Sequence, residues 1–99
     1  MLYTIIGTDA DDSLALRLQL RAEHRAHIES LKTLGRLIIA GPRPAIDSEN
    51  PGPNGYIGSL IIAEFDSLED AQTWANADPY LINGVFASVD VQPFKRVLP

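Results

Sequence analysis

Three short apolar segments of the chain are rich in β-branched and aromatic residues, a pattern typical of β-strands. They run from Leu2 to Thr8, from Arg36 to Ala40 and from Ser59 to Phe65. A fourth apolar segment, Val85 to Leu98, contains Pro93, and a proline within a strand indicates a bulge or an edge position. The pattern therefore predicts four strands.

A long helix is predicted between the first and second strands. Asp11-Asp12-Ser13 offers an N-cap, and the leucines that follow alternate with Ala, Arg and Gln. This alternation has the period of a strand, but the residue types are helix formers, so we favour a helix that ends at a C-cap, Gly35. From Ala22 onward the helical period is regular, and the side predicted to face the core carries Leu20, His24, Ile28, Leu31 and Leu34.

A second helix is predicted after the third strand, with its cap within Asp66 to Asp70 and its end near Ala77. Ala71, Trp74 and Ala75 are expected to face inward. A turn through Asp78-Pro79 then leads to the last strand. The element order βαββαβ predicts an α+β fold, a ferredoxin-like sandwich with an antiparallel sheet and both helices on one face. Residues 1–99 are expected to form a single domain, with a long loop from Pro42 to Gly58.

The sheet is predicted to be apolar on both faces. In the first strand, Leu2 and Ile6 are predicted to lie on one face and Tyr3 and Ile5 on the other. In the second strand, Leu37 and Ile39 lie opposite Ile38 and Ala40. In the third strand, Leu60 and Ile62 lie opposite Ile61 and Ala63. Helices cover only one face, so the other needs a different cover. The simplest cover is a second copy of the chain, and we predict a homodimer through the sheet face.

Composition narrows the classes of partner. The net charge of −5 disfavours a nucleic acid, which needs a basic patch. The chain has no cysteine, so disulfides and thiolate chemistry are not expected. No apolar run approaches the roughly 20 residues of a membrane span, and the first residues resemble a strand and not a signal peptide. We expect a cytoplasmic protein with no membrane partner.

His24 is the main candidate for chemistry, because imidazole is the side chain that titrates near neutral pH. It can act as a general acid or base, or it can simply pack on the inner side of the helix. His27, three residues on, raises the possibility of a metal pair, but no third ligand stands at helical spacing, so no metal site is predicted. The candidate partner is Asp78, which serves either as a carboxylate that orients the imidazole or as an ordinary turn residue before Pro79.

The segments Gly41-Pro42 and Gly58-Ser59 are interpreted as turn or strand-entry residues, or as the lining of a ligand site. No phosphate loop, dinucleotide fingerprint or Gly-x-Ser-x-Gly motif is present, and no cofactor is predicted.

Several motifs occur together in order along nearly the whole chain. They are Arg21-x-x-His24, Gly35-Arg36-Leu37, Ala40-Gly41-Pro42, Gly58-Ser59, Ala77-Asp78-Pro79-Tyr80 and Val91-Gln92-Pro93-Phe94-Lys95. On these motifs the chain resembles the YciI family, that is, the YCII-related domain. Ala22 departs from the family pattern, in which proline often follows the arginine, and this weakens the case for a helix that starts sharply before His24.

The resemblance implies a ferredoxin-like fold of the dimeric α+β barrel type. It also implies a catalytic dyad of His24 and Asp78 in a pocket near the dimer interface. Some members of the family are dehydrochlorinases that eliminate HCl from a chlorinated hydroxyquinol without metal or organic cofactor, and others are similar to muconolactone isomerase or have no assigned activity.

Two functions follow as hypotheses. The first is a cofactor-independent enzyme for a small organic molecule, in which His24 and Asp78 supply acid–base chemistry for elimination, isomerisation or hydrolysis of an activated ring or lactone. Its candidate substrate-binding residues are Arg21, Gly41, Pro42 and Ser59. The second is a small-molecule binding or regulatory module without turnover. Cofactor-free oxygen chemistry is a weaker third, since no aromatic-rich pocket is evident.

Overall fold

The computed structural model describes all 99 residues. Its elements, in chain order, are β1 (Leu2–Asp9), α1 (Leu14–Gln19), α2 (Arg21–Thr33), β2 (Leu37–Pro44), a 3-10 turn (Gly52–Asn54), β3 (Tyr56–Glu64), α3 (Leu68–Asn76), α4 (Pro79–Ile82) and β4 (Phe86–Phe94).

The four strands form one antiparallel sheet in the order β2-β3-β1-β4. Residues on one face of β1 and β3 pack against the helices in the main core, which comprises Tyr3, Ile5, Leu31, Ile61, Ala63, Phe65, Ala71 and Ala75. A smaller core of Tyr80, Val85 and Phe86 lies beside α4. This arrangement confirms the predicted ferredoxin-like α+β fold.

The edge strand β2 is longer than predicted. It continues past Ala40 through Gly41-Pro42 and ends at Pro44, so the loop after it begins at residue 45 and not at Pro42. Proline has no backbone N–H to donate. In a central strand each N–H pairs with one of the two neighbouring strands, whereas an edge strand has N–H groups without a partner on one side and tolerates proline there. The same reason explains Pro93 in β4, which forms the opposite edge.

A bulge at the start of β2 changes the predicted faces. Leu37 pairs with Ala63, whereas Ile39 pairs with Ile62, so one extra residue of β2 lies between these pairs. Leu37 and Ala40 therefore share the helix side, and Ile39 lies on the outer face. The prediction that Leu37 and Ile39 share a face was wrong, because strict alternation fails at a bulge.

The first helical region is two helices and not one. The helix is interrupted at Leu20, with φ −98° and ψ 5°, between α1 and α2. Gly35 follows α2 with φ +71°, a conformation suited to the predicted glycine C-cap. Ser13 occupies the predicted N-cap position of α1, although its side chain makes no cap hydrogen bond. Leu34 is 69% exposed and does not face the core as predicted.

The region from α3 to β4 follows the prediction with shifted boundaries. Ser67 caps α3 by accepting a hydrogen bond from the Asp70 amide at 3.0 Å. The expected turn after Asp78 contains the single helical turn α4, in which Pro79 occupies the first position. No helix in the molecule has both the length and the apolar character that crossing a membrane would require.

Candidate active site

His24 of α2 and Asp78, which precedes α4, are in direct contact. The His24 Nδ1 atom lies 2.8 Å from Asp78 Oδ1 and 2.9 Å from Oδ2. Both residues are buried, with 8% of His24 and 2% of Asp78 exposed. Fifty-four positions separate them in sequence, and the fold brings them together because α4 packs against α2.

The hydrogen bonds around Asp78 define the tautomer of a neutral His24 ring. Asp78 Oδ1 also accepts a hydrogen bond from the Tyr80 amide at 2.9 Å, so this carboxylate both caps α4 and binds the imidazole. An ionised carboxylate only accepts hydrogen bonds, so Nδ1–H of His24 is the donor. Nε2 of the neutral ring then carries a lone pair, and it has no hydrogen-bond partner in the protein.

Aromatic side chains fix the orientation of the His24 ring. The Tyr80 ring stacks on it with a centroid distance of 3.8 Å and an interplanar angle of 8°. Phe86 contacts it edge-on at 5.9 Å. The ring thus has a carboxylate at one nitrogen and packed aromatic neighbours around it, which leaves it little rotational freedom.

His24 forms part of the wall of a cavity of ≈ 380 Å³ between the helices and the helix side of β2 and β3. The lining comprises Arg17, Leu18, Arg21, His24, Arg25, Ile28, Glu29, Lys32, Leu37, Ala40, Gly41, Pro42, Tyr56, Ser59, Ile61 and Tyr80. Pockets that hold small ligands in proteins range over about 300–1,000 Å³, so this one suits a molecule of about one ring. The cavity therefore lies on the helix side of the sheet, and the outer face lies on the other side.

The residues predicted to bind substrate all lie at this cavity: Arg21, Gly41, Pro42 and Ser59. Gly58 is not part of the lining. It lies within β3, opposite Thr8 and Arg43, where the chains approach closely.

His27 has a different environment from His24. Its ring stacks on Trp74 at 4.1 Å, and its Nε2 lies 2.8 Å from the Trp74 carbonyl oxygen. No three His, Cys, Asp or Glu side chains are grouped so that they could hold a metal ion. The geometry of His27 is that of a packing residue.

Arg17 is a residue of the cavity that the sequence analysis missed. It is 5% exposed and makes two hydrogen bonds to Asp9, from Nε at 2.8 Å and from Nη2 at 3.1 Å. Nη2 also donates to Ser59 Oγ at 2.8 Å. Its guanidinium carbon lies 4.9 Å from the centroid of the Tyr80 ring, the same ring that stacks on His24.

Helical spacing was the signal that could have identified Arg17. It precedes His24 by seven residues, which is two turns of the single helix predicted from the sequence and would place both side chains on one side of that helix. The leucines of this region predict which side faces the core, and a charged residue on that side is unusual. Its partner Asp9, at the end of β1, gave no distinct signal in the sequence.

Tyr80 connects the two halves of the site. Its hydroxyl donates a hydrogen bond to the Arg17 carbonyl oxygen at 2.9 Å. Burial raises the pKa of the Tyr80 phenol above its ordinary value of 10.0, and the nearby Arg17 and Arg21 guanidinium groups oppose this effect. The phenol is therefore neutral at physiological pH and keeps its proton for this hydrogen bond.

The sheet order and the helix-side cavity define a small α+β protein of the dimeric α+β barrel fold type. The profile of the YCII-related domain matches residues 1–95, and the chain belongs to this family. It is 54% identical over 97 residues to Protein YciI of Escherichia coli O6:H1, an alignment that covers 98% of this chain and 99% of the relative.

Solved structures agree with this assignment. A 5-chloro-2-hydroxyhydroquinone dehydrochlorinase, TftG of Burkholderia phenoliruptrix, in complex with 2,5-dihydroxybenzoquinone, superimposes with a TM-score of 0.85 at 28% identity. The match covers 98% of this chain and 96% of TftG. An antibiotic biosynthesis monooxygenase gives a TM-score of 0.50 at 17% identity, covering 99% of this chain and 100% of the other, which shows likeness of fold alone.

Proposed function

We propose that the protein is a cofactor-independent enzyme for a small organic molecule, with His24 as its general base and acid. The observation that carries this proposal is the contact of His24 Nδ1 with both oxygens of Asp78 at the wall of the cavity. A histidine oriented in this way by a carboxylate presents Nε2 as the base and is stabilised when it becomes protonated.

The chemistry of such a site follows from the position of the proton. Nε2 of His24 removes a proton from a substrate hydroxyl or acidic carbon, and the electron pair left behind delocalises into the substrate. In an elimination, a leaving group such as chloride departs with its bonding pair. In an isomerisation, the imidazolium returns the proton to another substrate atom.

General acid–base catalysis by one side chain contributes typically about 10²–10⁴-fold, so this dyad suits activated rings and lactones and not amides. Among the candidate reactions, the likeness to TftG, a dehydrochlorinase, favours elimination. Hydrolysis of an activated lactone by a water molecule that His24 deprotonates remains the alternative for the same two side chains.

The test is chloride release from 5-chloro-2-hydroxyhydroquinone, together with a panel of activated lactones, by the wild type and by His24→Asn. We expect the variant to lose about 10²–10⁴-fold in kcat/KM. His27→Asn is a matched control, because it alters a histidine of the same helix that stacks on Trp74 outside the cavity. Equal rates for the two variants would remove His24 from the mechanism.

A non-catalytic binding or regulatory module is the second candidate. One observation favours it: the rings of His24, Tyr80 and Phe86 pack against one another, with Tyr80 stacked on the imidazole and Phe86 edge-on to it, an environment equally suited to a fixed hydrogen-bonding group for a ligand. A ligand-dependent rise in melting temperature without any product, in wild type as in His24→Asn, would support binding over catalysis.

We also propose that the protein works as a homodimer through its outer sheet face, and that it acts in the cytoplasm. The dimer is supported by the apolar character of that face along β1, β2 and β3. Leu2, Ile6, Leu60 and Ile62 lie there half-buried, and Ile39 is 58% exposed. The cytoplasmic location stays a prediction from the sequence.

A further inference from the structure

The residues that line the cavity have a positive formal charge, opposite to that of the whole chain, and the carboxylates of Asp9 and Asp78 lie behind the lining against Arg17 and His24. The chain has 8 Lys and Arg against 13 Asp and Glu, a net charge of −5. Four of these basic residues line the cavity, with a single acidic one: Arg17, Arg21, Arg25 and Lys32, with Glu29. Basic residues gathered in one cleft concentrate positive potential there and attract anions.

Two of the four basic residues have no acidic partner. Arg25 is paired with Glu29 at 3.3 Å, and Arg17 is paired with Asp9. Arg21 and Lys32 make no ion pair and are exposed. They stand one above the other along α2, three turns apart, so uncompensated positive charge borders the cavity along this helix.

Deeper in the cavity, Arg17 and Ser59 retain donors without acceptors. The Nε and Nη2 groups of Arg17 are occupied by Asp9 and Ser59, whereas Nη1 makes no hydrogen bond and is not enclosed by protein. Ser59 Oγ accepts a hydrogen bond from Arg17, and its own hydrogen has no acceptor in the protein. These two groups can donate to one oxygen-bearing ligand group.

The remaining walls favour a flat ligand. Apolar residues from α2, β2 and β3 contribute, and so do the rings of Tyr56, Tyr80 and His24. A phosphate is poorly matched, because its sites usually add several backbone amides or a helix N-terminus to the side-chain donors. A delocalised oxyanion on a planar ring needs only a few donors and also uses the apolar walls.

We propose that the cavity selects a small planar organic anion, whose charge is a carboxylate or an enolic oxyanion. Arg21 and Lys32 attract it, and Arg17 Nη1 with the Ser59 hydroxyl binds its charged oxygen. This inference rests on the proposed function of the same site and adds the class of ligand.

The first experiment compares binding of matched anionic and neutral probes by calorimetry at low salt. One pair is benzoate and benzamide, and the other is 2,5-dihydroxybenzoquinone, an acidic vinylogous acid, and its neutral dimethyl ether. We expect the anion of at least one pair to bind at least about tenfold more tightly than its neutral counterpart, since a hydrogen bond to a charged group contributes about 1.5–3 kcal/mol. The pair that shows the preference identifies carboxylate or enolic oxyanion. Equal affinities within both pairs, or no binding by either anion, would overturn the proposal.

The second experiment assigns the preference to the residues. We expect Arg21→Gln with Lys32→Gln to weaken binding of the anion by about fivefold, as for exposed charges, and to leave the neutral probe unchanged. Lys95→Gln with Arg96→Gln removes the same charge from the exposed C-terminal segment outside the cavity and serves as the control. An equal loss in the control would attribute the effect to net charge and contradict the proposed site.

The contribution of Arg17 is measured in the double variant Asp9→Asn with Arg17→Gln, which leaves no unpaired buried charge. We expect it to lose the anion preference. His24→Asn is expected to keep the preference while it loses turnover. Failure of anion selection with turnover intact would refute only the ligand class, and anion selection by a wild type that shows no turnover would refute only the catalytic proposal.

Discussion

Arg17 contacts residues from several of the elements that surround the site. It is bound by Asp9 from the end of β1 and contacts Ser59 of β3, and its main-chain carbonyl accepts the hydrogen bond of Tyr80. Tyr80 in turn stacks on His24. A buried ion pair of this kind adds little net stability compared with apolar residues in its place. Removal of one partner, however, leaves the other charge buried and unpaired.

This asymmetry gives a stability prediction at the residue scale. We expect Asp9→Ala to lower the free energy of unfolding by about 3–5 kcal/mol, because the buried Arg17 guanidinium would lose its counter-ion. Asp66→Ala is the matched control: its ion pair with Arg36 at 3.4 Å is exposed, with 80% of the Asp66 side chain accessible, and should contribute at most about 1 kcal/mol. Urea denaturation measures both, and coinciding midpoints would contradict the buried charge pair.

The site residues differ in how well their roles can be inferred from sequence. His24 stands out because the chain has only two histidines, and His24 and Asp78 both lie in motifs that resemble a family. Arg17 does not stand out, since arginines are ordinarily exposed, and only the tertiary contact with Asp9 explains its burial. His24 and Asp78 are also distant partners, but the family motifs indicated both of them, whereas no motif indicated Arg17 or Asp9.

At the scale of elements, sequence patterns located the strands and helices but not all their ends. Apolar β-branched segments predicted β1 closely, whereas β3 begins at Tyr56 and not at Ser59 as predicted. The Gly41-Pro42 pair predicts an end to β2, but the strand continues to Pro44, because the edge position that tolerates proline is a property of the assembled sheet. The sequence pattern does not indicate the interruption at Leu20 either, since the residues on both sides of it are good helix formers.

Gly58 is an element-scale constraint that can be tested. A Cβ atom at this position would overlap the Gly7 carbonyl oxygen of the neighbouring strand and approach Arg43 Nη2. We expect Gly58→Ala to destabilise the protein by about 1–3 kcal/mol, the usual cost of forcing extra volume into a packed site. Backbone has to move here, because the overlapping atom does not belong to a flexible side chain.

Gly41→Ala is the control for Gly58→Ala. It changes a strand glycine in the same sheet, but a Cβ there meets nothing within 4 Å. Its free energy of unfolding should stay within about 0.5 kcal/mol of the wild type. Thermal unfolding of the two variants under identical conditions measures the difference. Similar melting temperatures would show that β1 and β3 are not as closely packed at Gly58 as the structure has them.

At the scale of the whole molecule, the order βαββαβ was sufficient to predict the fold, because short connections and antiparallel pairing leave few topologies. The cavity was not predictable in shape. It depends on the interruption between α1 and α2 and on the extension of β2, both of which bring side chains to its wall. Subunit association is less predictable than the fold and more predictable than the cavity. The sequence pattern indicates the apolar outer face, and the homodimer that would cover this face is a prediction.

The homodimer is the last prediction, and the structure refines where its contact should lie. The outer face is apolar along β2, β3 and β1, but β4 presents Ser88, Asp90 and Gln92 there. We therefore expect two copies to meet over the β2 side of the sheet and to sediment as a species of twice 10.8 kDa. A stable interface of this kind ordinarily buries about 1,200–2,000 Å² in total. An exposed isoleucine near its centre would contribute to this buried area.

Ile39→Arg tests this contact, because it introduces a charge at a residue that is 58% exposed on the outer face of β2. We expect it to shift sedimentation velocity profiles towards the monomer at micromolar concentration, since an unpaired charge at a dry interface is costly. Leu34→Arg is the control: this leucine is 69% exposed at the end of α2, away from the sheet face, and should leave the dimer intact. A wild-type chain that sediments at 10.8 kDa would contradict the dimer altogether. Equal dissociation by both variants would place the contact elsewhere on the surface, because the two substitutions add the same charge and differ only in position.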